Sequence, residues 1–345
     1  MPDTPVERKL ARFQALKSQR SVIDSEYEDL ARLLHPTRLG FQSQITPGDS
    51  RMDDSFDSTP QQARWQLATT MEGFVTPKGG ESWLKIESED DRLMEIHEAR
   101  LWFEDVTNKV FQAIYTPEAN FHNAASEIYN DIATFGPGVM MIPERIGPDG
   151  TARPMFQSVH LANAYWALNE WGSPDTFYVE WQRPVGNAAQ LYGAENLGDH
   201  ANMLLRENKL DQKIKLLHVV EPRVGRDHRR QDNLNMPFSS FVIDLEGKKQ
   251  VEESGFSELP YLAPTWGSVS GEPWGWAPGR LLLPDIKMLN QQARTTLEVG
   301  QFVARPPLMT PHEGVIDFAS LYPGVHLNYD ATSAAANGGR PPIHP

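Results

Sequence analysis

The sequence predicts an α+β fold, with helices gathered in its first half and strands in its second. Three observations point there. Apolar residues recur at helical spacing up to about residue 135. Short β-branched and aromatic runs bounded by Gly, Pro and Asn follow. A last helical stripe begins near Pro284.

The elements follow in chain order. Leu10, Phe13 and Leu16, then Tyr27, Leu30, Leu33 and Leu34, form helical stripes that stop at His35-Pro36. Residues 40–58 are polar and turn-rich. Thr59 can cap the next helix with Pro60 at its first position, and Trp65, Ala68, Met71 and Val75 are expected on its buried side. Trp83-Leu84-Lys85-Ile86 reads as a short strand. Trp102, Val106, Val110 and Ile114 mark one further helix. Phe121, Ala124, Ala125, Ile128, Tyr129 and Ile132 mark another, broken at Gly136-Pro137-Gly138. Val139–Ile142 and Met155–Val159 read as a hairpin across Gly147-Pro148-Asp149-Gly150. Strands are expected at 166–169, 177–182, 214–220, 238–245 and 250–253, with helices at 187–197 and 201–208. Ala331–Pro345 has the composition of a linker.

Composition narrows the function classes. A hydrophobic content of 39% and a charged content of 23% fit a folded, soluble chain. The net charge of −14 argues against a protein that grips DNA by broad phosphate neutralisation. It suits a surface that nucleic acid passes without sticking, although acidity more commonly serves solubility. With no cysteine there is no disulfide, thiolate metal site or cysteine nucleophile. No apolar run is long enough to span a bilayer, and the polar N-terminus carries no signal core, so folding in a cytoplasm is expected.

The search for chemistry is mostly negative. None of the ten histidines is spaced as a ligand pair: His97, His122, His160, His218, His312 and His326 are isolated. Gly267-Ser268-Val269-Ser270-Gly271 puts Val where a hydrolase elbow needs Ser. Asp53, Asp54 and Asp57 lack the glycine and terminal glutamate of a calcium loop, and read better as a solvated acidic turn. No catalytic residue, metal site or cofactor is expected. The enzyme alternative, a metal-dependent hydrolase using Asp53, Asp54 and a histidine, rests on little.

Two features survive. From 206 to 230 the acidic chain carries a basic island, including Arg223, Arg226, Arg229 and Arg230. It is a solvated loop or a docking surface for an acidic partner or phosphates. After the elbow Trp274-Gly275-Trp276-Ala277-Pro278-Gly279, Pro284 suits a first helical turn, and Asp285 complements the helix dipole. The stripe Ile286, Leu289, Ala293, Leu297, Gly300 and Ala304 follows. Ala293, Gly300 and Ala304 are small where a core helix carries bulk, so another backbone can approach there. Lys287, Gln291 and Arg294, spaced by four and three, share the opposite side.

The order of landmarks resembles one family. Trp65-Gln66-Leu67-Ala68, Phe74-Val75-Thr76-Pro77, Trp83–Ile86, Phe135–Met140, Val159-His160-Leu161 and Gly172–Thr176 come first. His218–Arg223, Pro237–Ser240, Glu253–Phe256, Pro260 and Gly275–Asn290 complete the series. In this order, over roughly residues 20 to 310, they are similar to the portal, or head-to-tail connector, proteins of short-tailed double-stranded-DNA bacteriophages.

The resemblance implies a non-enzymatic, dodecameric ring at one capsid vertex, for genome packaging, head–tail joining and DNA ejection. The implied partners are further copies of the chain, double-stranded DNA in transit without sequence specificity, the terminase large subunit, tail or adaptor proteins, and capsid and scaffolding proteins. The implied location is the virion, after assembly in the host cytoplasm. The subunit would have a helical and β wing over residues 1–185 and a helical segment, a candidate first stem piece, at 186–210. A β-rich clip or adjoining region would occupy 211–275, a second stem helix 276–310, and a partial post-stem segment with a flexible tail 311–345. A crown is expected to be missing. Lys287, Gln291 and Arg294 become candidates to face the channel; Ala293, Gly300 and Ala304, candidates for the subunit interface; Arg223, Arg226, Arg229 and Arg230, a candidate docking patch. The alternative is another virion component, a tail adaptor or minor capsid protein.

Overall fold

The computed structural model describes residues 4–46, 48–78, 82–147, 150–227, 229–230, 232–306, 308–312 and 322–330, with Ala335 and Gly338. Apart from those last two residues, the linker-like tail after Asp330 lies outside the described residues, as do Pro148 and Asp149 of the hairpin turn. Helix and sheet are both extensive, and the main sheet is antiparallel, as an α+β chain requires. The chain divides into two compact units, Met1–Met52 with Thr59–Leu283, and Asp53–Ser58 with Pro284–Pro345.

The first unit opens with α1 (Pro5–Leu34), one continuous helix. Thr4 caps it: its hydroxyl accepts the Glu7 N–H at 3.2 Å and Glu7 accepts the Thr4 N–H at 3.0 Å. Pro36 supplies no N–H, and α1 ends at Leu34. The following elements are α2 (Thr59–Val75), α3 (Asp91–Glu95), α4 (His97–Ile114) and α5 (Phe121–Phe135). The helical core is built on α5: Phe121, Ala124, Ala125, Ile128 and Ile132 pack with Met140 and Phe156.

Three expectations fail here. Trp83–Ile86 pairs with no strand among the described residues: the Trp83 indole donates to the Tyr115 hydroxyl at 2.7 Å, and the Ile86 N–H to the Thr107 hydroxyl at 3.1 Å. Side chains of the α4 region replace a ladder. Trp65 and Val75 on α2 are exposed rather than buried. Their spacing is helical, but the buried face is set by Ala68 and Glu72. Thr59 lies within α2 rather than before it.

Beyond α5, β1 (Val139–Met141), β2 (Glu144–Ile146), β3 (Ala152–Pro154) and β4 (Gln157–Val159) form the expected hairpin, with β1 pairing β4 and β2 pairing β3. Next come β5 (Ala164–Leu168), β6 (Pro174–Pro184), α6 (Val185–Tyr192), α7 (Asp199–Arg206), β7 (Lys213–Pro222), β8 (Phe238–Asp244) and β9 (Lys249–Phe256). The five strands form one antiparallel meander in sequence order. Alternation along β7 serves both faces. Ile214 and Leu216 pack with Val185, Ala188, Ala201 and Leu204 of α6 and α7, whereas Leu217 and Val219 pack with Phe13 of α1 and with Tyr165 and Tyr178. Residues 186–210 are therefore two eight-residue helices covering the sheet, and strands on either side of that segment share it.

The unit closes with β10 (Tyr261–Leu262) against β1, the hairpin β11 (Gly267–Val269) and β12 (Glu272–Trp276), and the start of α8 (Pro278–Ala304). The helix thus begins six residues before Pro284, which sits inside it rather than in its first turn. Gly279 allows the elbow to close: a Cβ there would come within 2.5 Å of the Thr134 carbonyl oxygen. Arg280 donates to Glu26 at 2.9 Å and to the Gly275 carbonyl, tying the elbow to α1. The second unit holds α8 from Pro284 onward, residues 53–58, and the parallel pair β13 (Leu308–His312) and β14 (His326–Asp330).

Candidate functional site

In the second unit, residues 54–56 are bound to α8. Asn290 grips the backbone of residues 54–56 at two points: its Oδ1 accepts the Phe56 N–H at 2.8 Å, and its Nδ2 donates to the Asp54 carbonyl at 2.9 Å. The Arg294 guanidinium lies over the Phe56 ring, 5.6 Å from its centre. The acidic turn predicted at Asp53, Asp54 and Asp57 is thus a strap on α8.

The polar side of α8 is close to this strap. Lys287, Gln291 and Arg294 are all exposed. Arg294 also pairs with Glu298 at 2.9 Å, and Gln291 donates to Thr295 at 3.5 Å. On the other side Ala293 is half-buried, while Gly300 and Ala304 are exposed. A Cβ added at Gly300 would meet nothing within 4 Å among the described residues. Met288, Leu289, Leu297, Val299 and Val303 are exposed as well, so this helix is apolar without being covered.

The basic island splits in two. Arg223 is part of the fold: it donates to Glu253 at 3.1 Å and to the Ser254 carbonyl at 3.0 Å, fastening β7 to β9. Arg226 donates to the Asn235 carbonyl at 3.0 Å. Arg229 and Arg230 are exposed, and their backbone N–H groups hold the turn through Asp227.

Several buried polar groups escaped the reading of the sequence. Arg20 donates to the carbonyls of Leu161, Ala162 and Ala164, to the Tyr165 hydroxyl, and to Asp24. His218 bridges the Ser240 hydroxyl at 2.9 Å and the Tyr261 hydroxyl at 2.5 Å. These three have the order of a nucleophile, base and orienting group, but all are buried, and they join β7, β8 and β10. Burial, with Arg183 nearby, pulls the His218 imidazole down to about 3. The alternation of β7 places His218 on the same side as Leu216, which was the available signal.

A second buried cluster joins the end of α1 to α5. Asp131 accepts from Arg38 at 2.9 Å and lies 3.8 Å from His35 Nε2. Arg38 also donates to Glu127 and Ser158. Burial raises the Asp131 carboxyl to about 6 against the pull of Arg38, and lowers His35 to about 2, helped by Arg64 and Arg38. Among the described residues, no group of three or more His, Cys, Asp and Glu could hold a metal, and no helix is long and apolar enough to cross a membrane.

Comparison with known proteins adds what geometry alone does not. A family model described as bacteriophage head to tail connecting protein matches residues 7–345. The portal protein of Salmonella phage epsilon15 is 26% identical over 330 residues, 94% of this chain and 58% of that protein. The probable portal protein of Bordetella phage BPP-1 is 25% identical over 340 residues, 96% of this chain and 59% of that protein. The chain spans a little under three fifths of the length of these relatives. A match running from Glu7, in the first turn of α1, through the last residue makes this chain a member of the bacteriophage head to tail connecting protein family.

Proposed function

We propose that the chain is a subunit of a phage portal: a ring channel at a capsid vertex through which the genome is packaged and ejected, and to which the tail is joined. The observation that carries this reading is the family match along nearly the whole chain, supported by two relatives named as portal proteins. The role is non-enzymatic, and its site is the virion after assembly in the host cytoplasm. The partners are further copies in a dodecameric ring, double-stranded DNA in transit, terminase, tail or adaptor proteins, and capsid and scaffolding proteins.

The open side of α8 supports self-association. Glycine within a helix costs about 1 kcal/mol relative to alanine, and among the described residues nothing lies within 4 Å of a Cβ added at Gly300. A neighbouring helix crossing at Ala293, Gly300 and Ala304 accounts for the small residues and covers the exposed Leu289 and Leu297 beside them. In this assignment α8 is a stem helix, the helices and meander before it form the wing and adjoining β structure, and Lys287, Gln291 and Arg294 face toward the channel. Contacts there are weak and sequence-blind, as moving DNA requires.

Native mass spectrometry of the purified chain tests the proposal. Closed oligomers of one defined size are expected, and a monomer that persists at high concentration contradicts it.

A further inference from the structure

A cleft of about 780 Å³ in the first unit combines an exposed indole with two unpaired carboxylates. One wall is the turn between β5 and β6, with Glu170 and Trp171; the other is the β11–β12 hairpin, with Ser270 and Glu272. The second wall includes the Gly267–Gly271 run, which no catalytic role absorbs. Buried Trp166 lines the cleft between them and meets Trp274 edge-on, with ring centres 4.8 Å apart. Trp171 is 88% exposed, and its turn is held from within. Asn169 Oδ1 accepts the N–H groups of Trp171 at 2.9 Å and Ser173 at 3.0 Å. An exposed indole on a fixed backbone loses little entropy when a ligand covers it.

The charge of this cleft has one sign. Its walls come from two stretches, and neither holds a lysine or arginine between Arg153 and Arg183 or between Lys249 and Arg280. Glu170 and Glu272 are exposed, and among the described residues neither makes a hydrogen bond or ion pair. Asp175, farther along the first turn, accepts from the Thr176 hydroxyl at 2.9 Å and adds negative charge. Arg280, the next cation after the hairpin, is engaged by Glu26 and by the Gly275 carbonyl, so it answers Glu272 only through its field. An indole face beside free carboxylates is the chemistry that recognises a guanidinium, which stacks on the ring and donates in its plane.

We propose that this cleft docks an arginine-bearing segment of another protein, with the guanidinium on Trp171 and with Glu170 and Glu272 as its counter-charges. The charge selects the occupant: an acidic or neutral segment gains nothing from two unpaired glutamates. The indole selects the side chain, because a planar guanidinium stacks where a hydrated ammonium does not. The inference is independent of the ring reading, and either can fail without the other.

Calorimetric titration of the full chain with a capped Gly-Arg-Gly-Arg-Gly peptide at low salt tests the proposal. Saturable binding is expected, weakening as salt rises. The same peptide with lysine is expected to bind more weakly, and with citrulline, which keeps the shape and loses the charge, not at all. Trp171→Ala is expected to weaken binding about fivefold, and Glu170→Gln combined with Glu272→Gln about tenfold. These side chains are exposed, so thermal unfolding should not change. Glu89→Gln, in the acidic run before α3, is the control and should bind as the unaltered chain does. Binding that survives both cleft variants is general attraction to an acidic chain and overturns the proposal. Equal binding of the citrulline peptide, or no binding of the arginine peptide, overturns it as well. Self-association that Trp171→Ala abolishes would make the occupant a second copy and would also overturn it.

Discussion

Arg20 shows how a single side chain decides a junction. Its guanidinium is almost wholly buried, yet three backbone carbonyls, a tyrosine hydroxyl and Asp24 satisfy it. Arg20→Ala removes those donors and leaves buried acceptors unpaired, for an expected loss of about 3–5 kcal/mol, readable as a lower urea midpoint. The buried histidines set the response to acid. His35, His160 and His218 are held at about 2, 4 and 3, each mainly by burial. The unfolded chain protonates first, near pH 6.5, so their contribution is complete above that value and is lost as pH falls toward the folded ones. Asp131 works the other way: with a folded value of about 6, its contribution is present at low pH and lost as pH rises through 6. Three groups outweigh one, so unfolding free energy is expected to drop by on the order of 2–3 kcal/mol per pH unit between pH 6 and 5. His218→Gln should reduce that slope by close to half, and a stability that is level over this range contradicts the assignment.

At the scale of elements, the strap and α8 form a unit that side-chain chemistry explains. Asn290→Ala removes both bonds to residues 54–56, so the Phe56 amide is expected to lose hydrogen-exchange protection by about 1–2 kcal/mol. Unchanged protection at Phe56 would mean that Asn290 does not hold the strap. The meander was legible in the sequence because β-branched and aromatic runs bounded by turn residues coincide with its strands, as at 214–220 and 238–245. The α1 and α5 stripes were legible because their apolar residues recur at helical spacing. Trp83–Ile86 was not, because β propensity says nothing of whether a ladder partner exists, and here hydroxyls of the α4 region take its place. Trp65 and Val75 were misjudged because an apolar stripe tells that a face is available for burial, not that its own chain buries it. The Asn290 clamp was invisible, since it joins residues more than 230 positions apart.

On the scale of the whole molecule, the family was legible from the order of small landmarks, none decisive alone, and the match over residues 7–345 agrees with it. Individual site residues were less legible. Of the four arginines in the basic island, Arg223 and Arg226 are occupied in holding the fold, and only their contacts could reveal it. That division makes a prediction. Reversing Arg229 and Arg230 to Glu should leave thermal unfolding unchanged and weaken terminase binding at low salt, with the loss shrinking as salt rises. Equal binding by the variant returns the segment to a solvated loop. The central claim is that copies of this chain close around a channel, with α8 among the contacts. Negative-stain imaging of the protein tests it most directly, alongside a Gly300→Leu variant at a position where an added Cβ meets nothing within 4 Å among the described residues. Rings with a central opening for the unaltered protein, and loss of those rings in a variant that remains folded, are the predicted result; scattered single particles from the unaltered protein at high concentration would contradict it.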